Sequence, residues 1–246
     1  MKTQAAAGFL VIAGLLVTPG GFAEPGGPAP RQGSDPAFGE LTRLADKYGT
    51  DKGSSTHKYT DVYEQFLMPI RSRARRIFEI GVASGASLSM WRDFFPAATI
   101  YGIDIEDSSR FDSARIKTFI ADQGNRAQLA KFIAAHGSDY DMILDDGGHT
   151  MDQQQISFGY LFPHVRSGGY YILEDVHTSL MYPGWGIDDD QKNTTLAMIE
   201  AFVRTGKLSS RYMTPAEARY VTEHVQNCSL FKGEDKFSIT WIVKKK

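Results

Sequence analysis

Tyr140-Asp141-Met142-Ile143-Leu144-Asp145-Asp146-Gly147-Gly148-His149 and, further on, Gly169-Tyr170-Tyr171-Ile172-Leu173-Glu174-Asp175 are the stretches on which the fold turns. Each opens as a short apolar run, Tyr140–Leu144 and Gly169–Leu173, and closes on acids. That is how a buried strand reads when its C-terminal tip meets solvent. Met151–Phe162 between them reads as a helix, so the three elements predict a right-handed crossover between parallel strands. If the two strands are neighbours, Asp146, Glu174 and Asp175 converge at the carboxyl edge of a sheet. Three carboxylates in one place repel unless a cation joins them. His149, three residues after Asp146, then stands beside that cation as a proton acceptor, an arrangement suited to metal-assisted chemistry on a hydroxyl group.

The same alternation extends outward. Upstream, Arg75–Val82 (RRIFEIGV), Thr99–Ile105 (TIYGIDI) and Lys117–Ala121 read as strands, with helices at Ser87–Phe95 and Arg126–His136. Downstream, Thr194–Thr205 reads as a helix. Asn227–Phe231 and Phe237–Val243, joined by Lys232-Gly233-Glu234-Asp235-Lys236, read as a hairpin, which makes the last strand antiparallel. Ahead of the first strand, Pro36–Tyr48 and Tyr59–Ile70 carry helical apolar spacing around a polar loop, Gly49–Lys58. Strands alternating with helices predict an α/β fold: a doubly wound, Rossmann-like, mostly parallel seven-stranded sheet with an antiparallel C-terminal hairpin.

With 246 residues, 42% of them hydrophobic, the chain can bury one large core. A net charge of −2 and the lack of any long basic run exclude a nucleic-acid footprint, since Arg71–Arg76 is short and Lys244–Lys246 is a tail. The single cysteine, Cys228, rules out an intramolecular disulfide and a cysteine-based metal site, and reads as a small apolar strand residue. Residues 1–34 stand apart. Lys2, the apolar run Ala5–Val17, the Pro19-Gly20-Gly21 break and Phe22-Ala23 before Glu24 form a signal-like segment, with an upstream start or a disordered extension as the other reading. It falls short of the roughly 20 residues of a stable membrane span. Glu24–Asp35 is a Pro/Gly-rich flexible linker. The folded domain is therefore expected over 35–246, with 35–74 as an N-terminal helical cap.

At the first strand-to-helix turn, Glu79-Ile80-Gly81-Val82-Ala83-Ser84-Gly85 lets backbone approach a ligand and offers free N–H groups at a helix start. Asp104, nineteen residues after Gly85, ends the second strand where a carboxylate accepts from a ribose diol. Asp122 ends the third, within reach of an adenine amino group. Ala83 replaces the central glycine of a dinucleotide fingerprint. Its Cβ crowds a pyrophosphate but tolerates a nucleoside without phosphates, which favours S-adenosylmethionine over NAD. A plain tight turn with solvated acids is the bland alternative.

Gly81-Val82-Ala83-Ser84-Gly85-Ala86-Ser87-Leu88-Ser89-Met90-Trp91, Asp122-Gln123, Asp145-Asp146-Gly147-Gly148-His149 and Glu174-Asp175, in this order, resemble the class I S-adenosylmethionine-dependent methyltransferases. More narrowly, they resemble the metal-dependent sugar O-methyltransferases of macrolide and tetracenomycin biosynthesis. Asp51-Lys52-Gly53-Ser54 with His57 and Tyr59 resembles the N-terminal signature of that group, and the likeness covers about residues 40–243. It implies S-adenosylmethionine held by Glu79, Gly81, Gly85, Ser87, Asp104, Asp122, Gln123, His57 and Tyr59. It implies Mg²⁺ held by Asp146, Glu174 and Asp175, with His149 as general base; Asp145 stands second to Asp146 as a ligand, its other reading being a buried acid near the strand end. His177 and Trp185 are expected at a small-molecule or glycoside acceptor. Relatives commonly self-associate, so a homo-oligomer is expected too. Ala83 and Ala86 depart from a pattern that is often glycine, and the chain leaves little room for a lid or auxiliary domain.

Each assignment has a bland counterpart. His149 can cap a helix, Glu174-Asp175 can be a solvated pair, His177 a surface residue, Trp185 a packing residue, and His57 with Tyr59 a helix cap. Asp188-Asp189-Asp190 reads as a charged loop before a helix cap. The functional alternatives are an NAD-dependent oxidoreductase, disfavoured by Ala83 and a missing Tyr/Lys pair at helical spacing, and an exported, non-catalytic carbohydrate- or metal-binding relic. The cofactor favours the cytoplasm, whereas the signal-like N-terminus favours export.

Overall fold

The structure, a computed structural model, describes residues 39–181, 184–233 and 237–246, together with a two-residue strand pair, Val17–Thr18 with Gly21–Phe22. The rest of the signal-like segment and linker expected over residues 1–34 lies outside the described residues. So do Tyr182-Pro183 and the hairpin residues Glu234-Asp235-Lys236.

Seven strands form the main sheet: β1 (Arg76–Ile80), β2 (Thr99–Asp104), β3 (Ile116–Ile120), β4 (Tyr140–Asp145), β5 (Val165–Leu173), β6 (Val225–Lys232) and β7 (Ile239–Lys245), in the order β3-β2-β1-β4-β5-β7-β6. The first five are parallel. β7 lies between β5 and β6 and runs antiparallel to both, so the C-terminal hairpin reaches the sheet through its second strand.

Successive residues of a strand point to opposite faces, and each face here owns a hydrophobic core. Ile77, Met142, Leu144, Ile172 and Ile242 belong to one core; Phe78, Ile143, Leu173 and Val243 belong to the other. On the first face lie α1 (Glu40–Tyr48), α2 (Tyr59–Leu67) and α3 (Ala86–Phe94), which bury Leu41, Tyr63 and Trp91 together. The opposite face is covered by α4 (Arg126–His136), α5 (Met151–Leu161), α6 (Thr195–Thr205) and α7 (Pro215–His224). Both faces of β4 are thus covered, and every residue of it is buried. Cys228 is buried in β6, and Trp91 and Trp241 are buried in the two cores. No helix among the described residues is long and apolar enough to cross a membrane.

Two boundaries and one helix stand out as differences from the sequence reading. The first helix runs from Glu40, after Gly39 in the left-handed region, and Pro36–Phe38 of its expected span lies outside the described residues. Strand β5 begins at Val165, four residues early, because Val165 pairs with Tyr140 before the register shifts. Helix α7 was not expected. Val221 is its one buried residue, so its apolar spacing is faint. Its start was nonetheless written in Thr214-Pro215-Ala216-Glu217: Thr214 Oγ1 accepts from the Glu217 N–H at 3.2 Å, and the Thr214 N–H donates to Glu217 Oε2 at 2.7 Å.

The tips of β1, β4 and β5 are locked together by backbone bonds. The Asp146 N–H donates to Ile80 O at 3.0 Å and the Glu174 N–H to Asp145 O at 2.9 Å. Gly81 permits this closeness. Its φ is 86°, and a Cβ there would lie 2.1 Å from the Asp146 carbonyl oxygen. Gly168 has φ 74° and nothing within 4 Å of such a Cβ. Gly81→Ala is therefore expected to cost at least ~3 kcal/mol in urea unfolding, and Gly168→Ala only ~1 kcal/mol, the cost of the backbone conformation alone. Equal losses would mean that the two turns are not pinned against each other.

Candidate functional site

The acids expected to converge do meet at the β1–β4–β5 edge, but they face different ways. Asp145, the last residue of β4, is fully buried. Its Oδ1 accepts from Gln123 Nε2 at 3.0 Å, and its Oδ2 accepts from Ser157 Oγ and from the Tyr171 hydroxyl at 3.1 Å. Burial pushes this carboxyl up to about 6 against the pull of Ser157 and His149. Gln123 uses both ends of its amide inside the protein, since its Oε1 accepts from the Gly148 N–H at 2.8 Å. It thereby ties the β3 tip to the Gly147-Gly148 loop.

Asp146, Glu174 and Glu79 surround a side chain that the sequence reading left without a role. Lys52, on the loop between α1 and α2, is 1% exposed. Its ammonium donates to Glu174 Oε2 at 2.9 Å and to Asp146 Oδ2, and lies 4.0 Å from Glu79 Oε1. Burial alone would lower its pKa, but the carboxylates of Asp146, Glu174 and Glu79 outweigh burial and hold the amine charged. The other Glu174 oxygen accepts from the Tyr63 hydroxyl at 2.8 Å, and Asp175 Oδ1 accepts from the Tyr59 hydroxyl at 2.8 Å. Nothing in Asp51-Lys52-Gly53-Ser54 announces a buried ammonium. A lysine in a polar loop reads as solvated, and the partners that bury it lie 94 and 122 residues away.

Two oxygens remain turned toward His149. Its Nε2 is 3.8 Å from Asp146 Oδ1 and 3.5 Å from Asp175 Oδ2. Ligand atoms of these three residues lie within 4.8 Å of one another, a spacing one cation can bridge. The loop backbone is held in a left-handed turn, φ 58° at His149 and 53° at Asp175, and the Thr178 hydroxyl donates to the His149 carbonyl at 2.9 Å. Around this cluster stand the other expected side chains. His177 Nδ1 is 3.7 Å from Asp175 Oδ1, and the Trp185 ring centroid is 6.5 Å from that of His149. His57 stacks on Tyr59 at 5.1 Å and on His177 at 6.5 Å, and its Nδ1 lies 3.1 Å from Ser238 Oγ. His57 and Tyr59 thus make their contacts at the acid cluster.

The remaining expected residues line the glycine turn. Ala83 takes φ 44°, a conformation that costs a residue with a Cβ about 1 kcal/mol, and Gly85 at φ 71° precedes α3. Asp104 Oδ2 accepts from the Val82 and Ala83 N–H groups at 2.8 and 3.2 Å, and its Oδ1 accepts from the Glu106 N–H at 3.0 Å. Partial burial raises this carboxyl, but the three backbone donors prevail and hold it below the usual range. Asp122 Oδ1 accepts from the Gly124 N–H at 2.8 Å. Beside these two acids, Ile105 and Ile120 leave 70% and 65% of their surface exposed. Ser87 Oγ turns inward, donating to Glu79 Oε2 at 2.9 Å. Glu79 is fully buried, its Oε1 has no hydrogen-bond partner, and burial lifts its pKa to about 7 against the opposing pull of Lys52.

No family model matches the chain. Among curated proteins it is similar to demethylmacrocin O-methyltransferase of Streptomyces fradiae, 37% identical over 174 residues, covering 67% of this chain and 44% of that protein. It is similar to L-olivosyl-oleandolide 3-O-methyltransferase of Streptomyces antibioticus, 34% identical over 196 residues, covering 75% and 50%. The chain thus spans about half the length of the curated relatives it matches. Among solved structures it is similar to the MycE methyltransferase of the mycinamycin biosynthetic pathway, in complex with Mg, SAH and mycinamycin VI. There the TM-score is 0.71 and the identity 30%, over 84% of this chain and 54% of that one.

The buried Glu79 carboxyl generates a pH signature. Its folded pKa of about 7 lies above the ordinary 4.5, so the folded protein binds the proton more tightly than the unfolded chain, and stability falls as pH rises between the two values. Glu79→Gln removes that loss. Relative to wild type, the variant is expected to gain up to ~3 kcal/mol between pH 4.5 and 7.5 in urea unfolding, from 1.36 kcal/mol per unit. Parallel pH profiles for the two proteins would place the Glu79 carboxyl in contact with water.

Proposed function

Because the chain has the class I S-adenosylmethionine-dependent methyltransferase fold and is related to the macrolide and tetracenomycin sugar O-methyltransferases, we propose that it transfers a methyl group from S-adenosylmethionine to a hydroxyl of a sugar or glycoside, with Mg²⁺ at the acid cluster. The observation that carries this reading is the pairing of two half-sites on one sheet edge. One holds outward oxygens of Asp146 and Asp175 beside His149; the other is the glycine turn flanked by Asp104 and Asp122.

The donors fit a hard divalent cation, since carboxylate oxygens of Asp146 and Asp175 lie within bridging range of each other. Asp146 and Asp175 would hold the ion. Glu174, the third acid of the set, adds its charge from behind through Lys52. When bound, such an ion orients the acceptor oxygens and lowers the pKa of a hydroxyl. The sulfonium methyl is already activated, so the protein's part is in-line positioning and removal of a proton. His149 takes that proton at Nε2, which faces the same oxygens.

On the donor side, the turn at Gly81 and Gly85 brings backbone close to the nucleoside. Asp104 and Asp122 accept from its ribose and base, and the exposed Ile105 and Ile120 offer apolar surface beside them. Glu79 and Ser87 support the turn from beneath, and Gln123 braces the neighbouring Gly147-Gly148 loop. On the acceptor side, Trp185 presents a ring to stack on a sugar, and His57, Tyr59 and His177 line the way to Asp175.

S-adenosylhomocysteine is expected to raise the Tm of the full chain while NAD leaves it unmoved, and EDTA to stop turnover until Mg²⁺ is restored. His149→Ala should lower kcat by about 10²–10⁴-fold and leave the Kd values for S-adenosylhomocysteine and Mn²⁺ within a few-fold of wild type. Loss of Mn²⁺ binding in that variant would make His149 a ligand of the ion. A missing shift with S-adenosylhomocysteine would remove the methyl donor from the reading.

A further inference from the structure

Lys52 belongs to the helical layer, yet its ammonium touches acids from neighbouring strand tips. Its own carbonyl accepts from the Thr60 N–H at 3.1 Å, which anchors the loop to the first turn of α2. A lysine with 1% of its surface exposed stays charged only against opposite charge, and the charge it answers belongs to the ion-binding acids. The division of oxygens is orderly. Lys52 takes Asp146 Oδ2 and Glu174 Oε2, Tyr63 takes the other Glu174 oxygen, and Tyr59 takes Asp175 Oδ1. Asp146 Oδ1 and Asp175 Oδ2 are left facing His149.

We propose that Lys52 is the positioning residue of the cation site, a resident counter-ion that ties Glu174 and one oxygen of Asp146 inward and so assigns the other Asp146 oxygen, with Asp175, to a divalent ion. The inference rests on the cation site of the proposed function. Two positive centres then share Asp146, one on each oxygen. The acids are thereby neutralised in part by a group of the chain itself.

The test compares full-length wild type with Lys52→Met by thermal unfolding, in EDTA and at one fixed Mn²⁺ concentration. Lys52→Met is expected to lower the metal-free Tm by about 6–12 °C, as buried carboxylates lose their partner. The same Mn²⁺ concentration should then raise the Tm of the variant by at least ~4 °C more than it raises that of wild type, the ion having become the remaining cation for these acids. Equal metal-free Tm values, or an Mn²⁺ shift no larger than that of wild type, would overturn the proposal. Should Lys52→Met fail to fold, Lys52→Met/Glu174→Gln decides, because it removes both charges of the buried pair. A folded double variant with a metal-free Tm near that of wild type supports the proposal, and an unfolded one overturns it. S-adenosylhomocysteine is titrated in parallel. If it fails to bind wild type, the methyltransferase reading falls by itself, whatever Lys52 does.

Discussion

Carboxylates from β1, β4 and β5 meet at one end of the sheet, and their mutual repulsion is what the surrounding structure has to contain. Two unit charges 4 Å apart repel by about 4 kcal/mol at an effective dielectric near 20, so an edge of this kind cannot assemble without donors. The donors come from several elements: Lys52 from the loop after α1, Tyr59 and Tyr63 from α2, Ser157 from α5, Gln123 from the turn after β3 and Tyr171 from β5 itself. The N-terminal helices are therefore more than a cover for one core. With the loop between them they carry the groups that fix Asp146, Glu174 and Asp175, and those bonds separate oxygens committed to the interior from oxygens left toward His149.

Much of this was legible in the chain. Apolar runs ending in acids placed β4 and β5 side by side, and the alternation of elements placed the hairpin antiparallel at the far edge. The spacing of Asp146 and His149 put carboxylate and imidazole on one turn. What the sequence hid is orientation. Asp145, the last residue of β4, turns to Ser157 and Tyr171, while Asp146, just past the strand end, turns to Lys52. Glu174 and Asp175 follow the end of β5 and turn to Tyr63 and Tyr59 of α2. Lys52 was invisible for another reason. A loop lysine owes its burial to partners more than ninety residues away, and single-chain patterning carries no record of distant contacts. Helix α7 escaped because its apolar stripe is one residue wide, although its cap was spelled out.

The glycine-turn half of the edge follows a different logic from the acid-cluster half. Asp104 is braced by three backbone N–H groups, two of them from the glycine turn itself, so the turn and the acid that serves it form one rigid unit. Ala83 accepts a strained conformation within that unit. The acid cluster, by contrast, is held by long side chains drawn from several elements, and its geometry depends on packing across the whole first face.

The provenance of those side chains has a kinetic corollary. Lys52 waits for residues 94 and 122 positions downstream, Tyr63 meets Thr240 across 177 positions, and His57 meets Ser238 across 181. Few local contacts can assemble such a locus early, and loop closure on this scale is slow. On the ribosome, the sheet can begin to nucleate while its working edge is still incomplete. Only when β7 has been made and threaded between its two neighbours can His57 and Tyr63 find their partners at its start, Ser238 and Thr240.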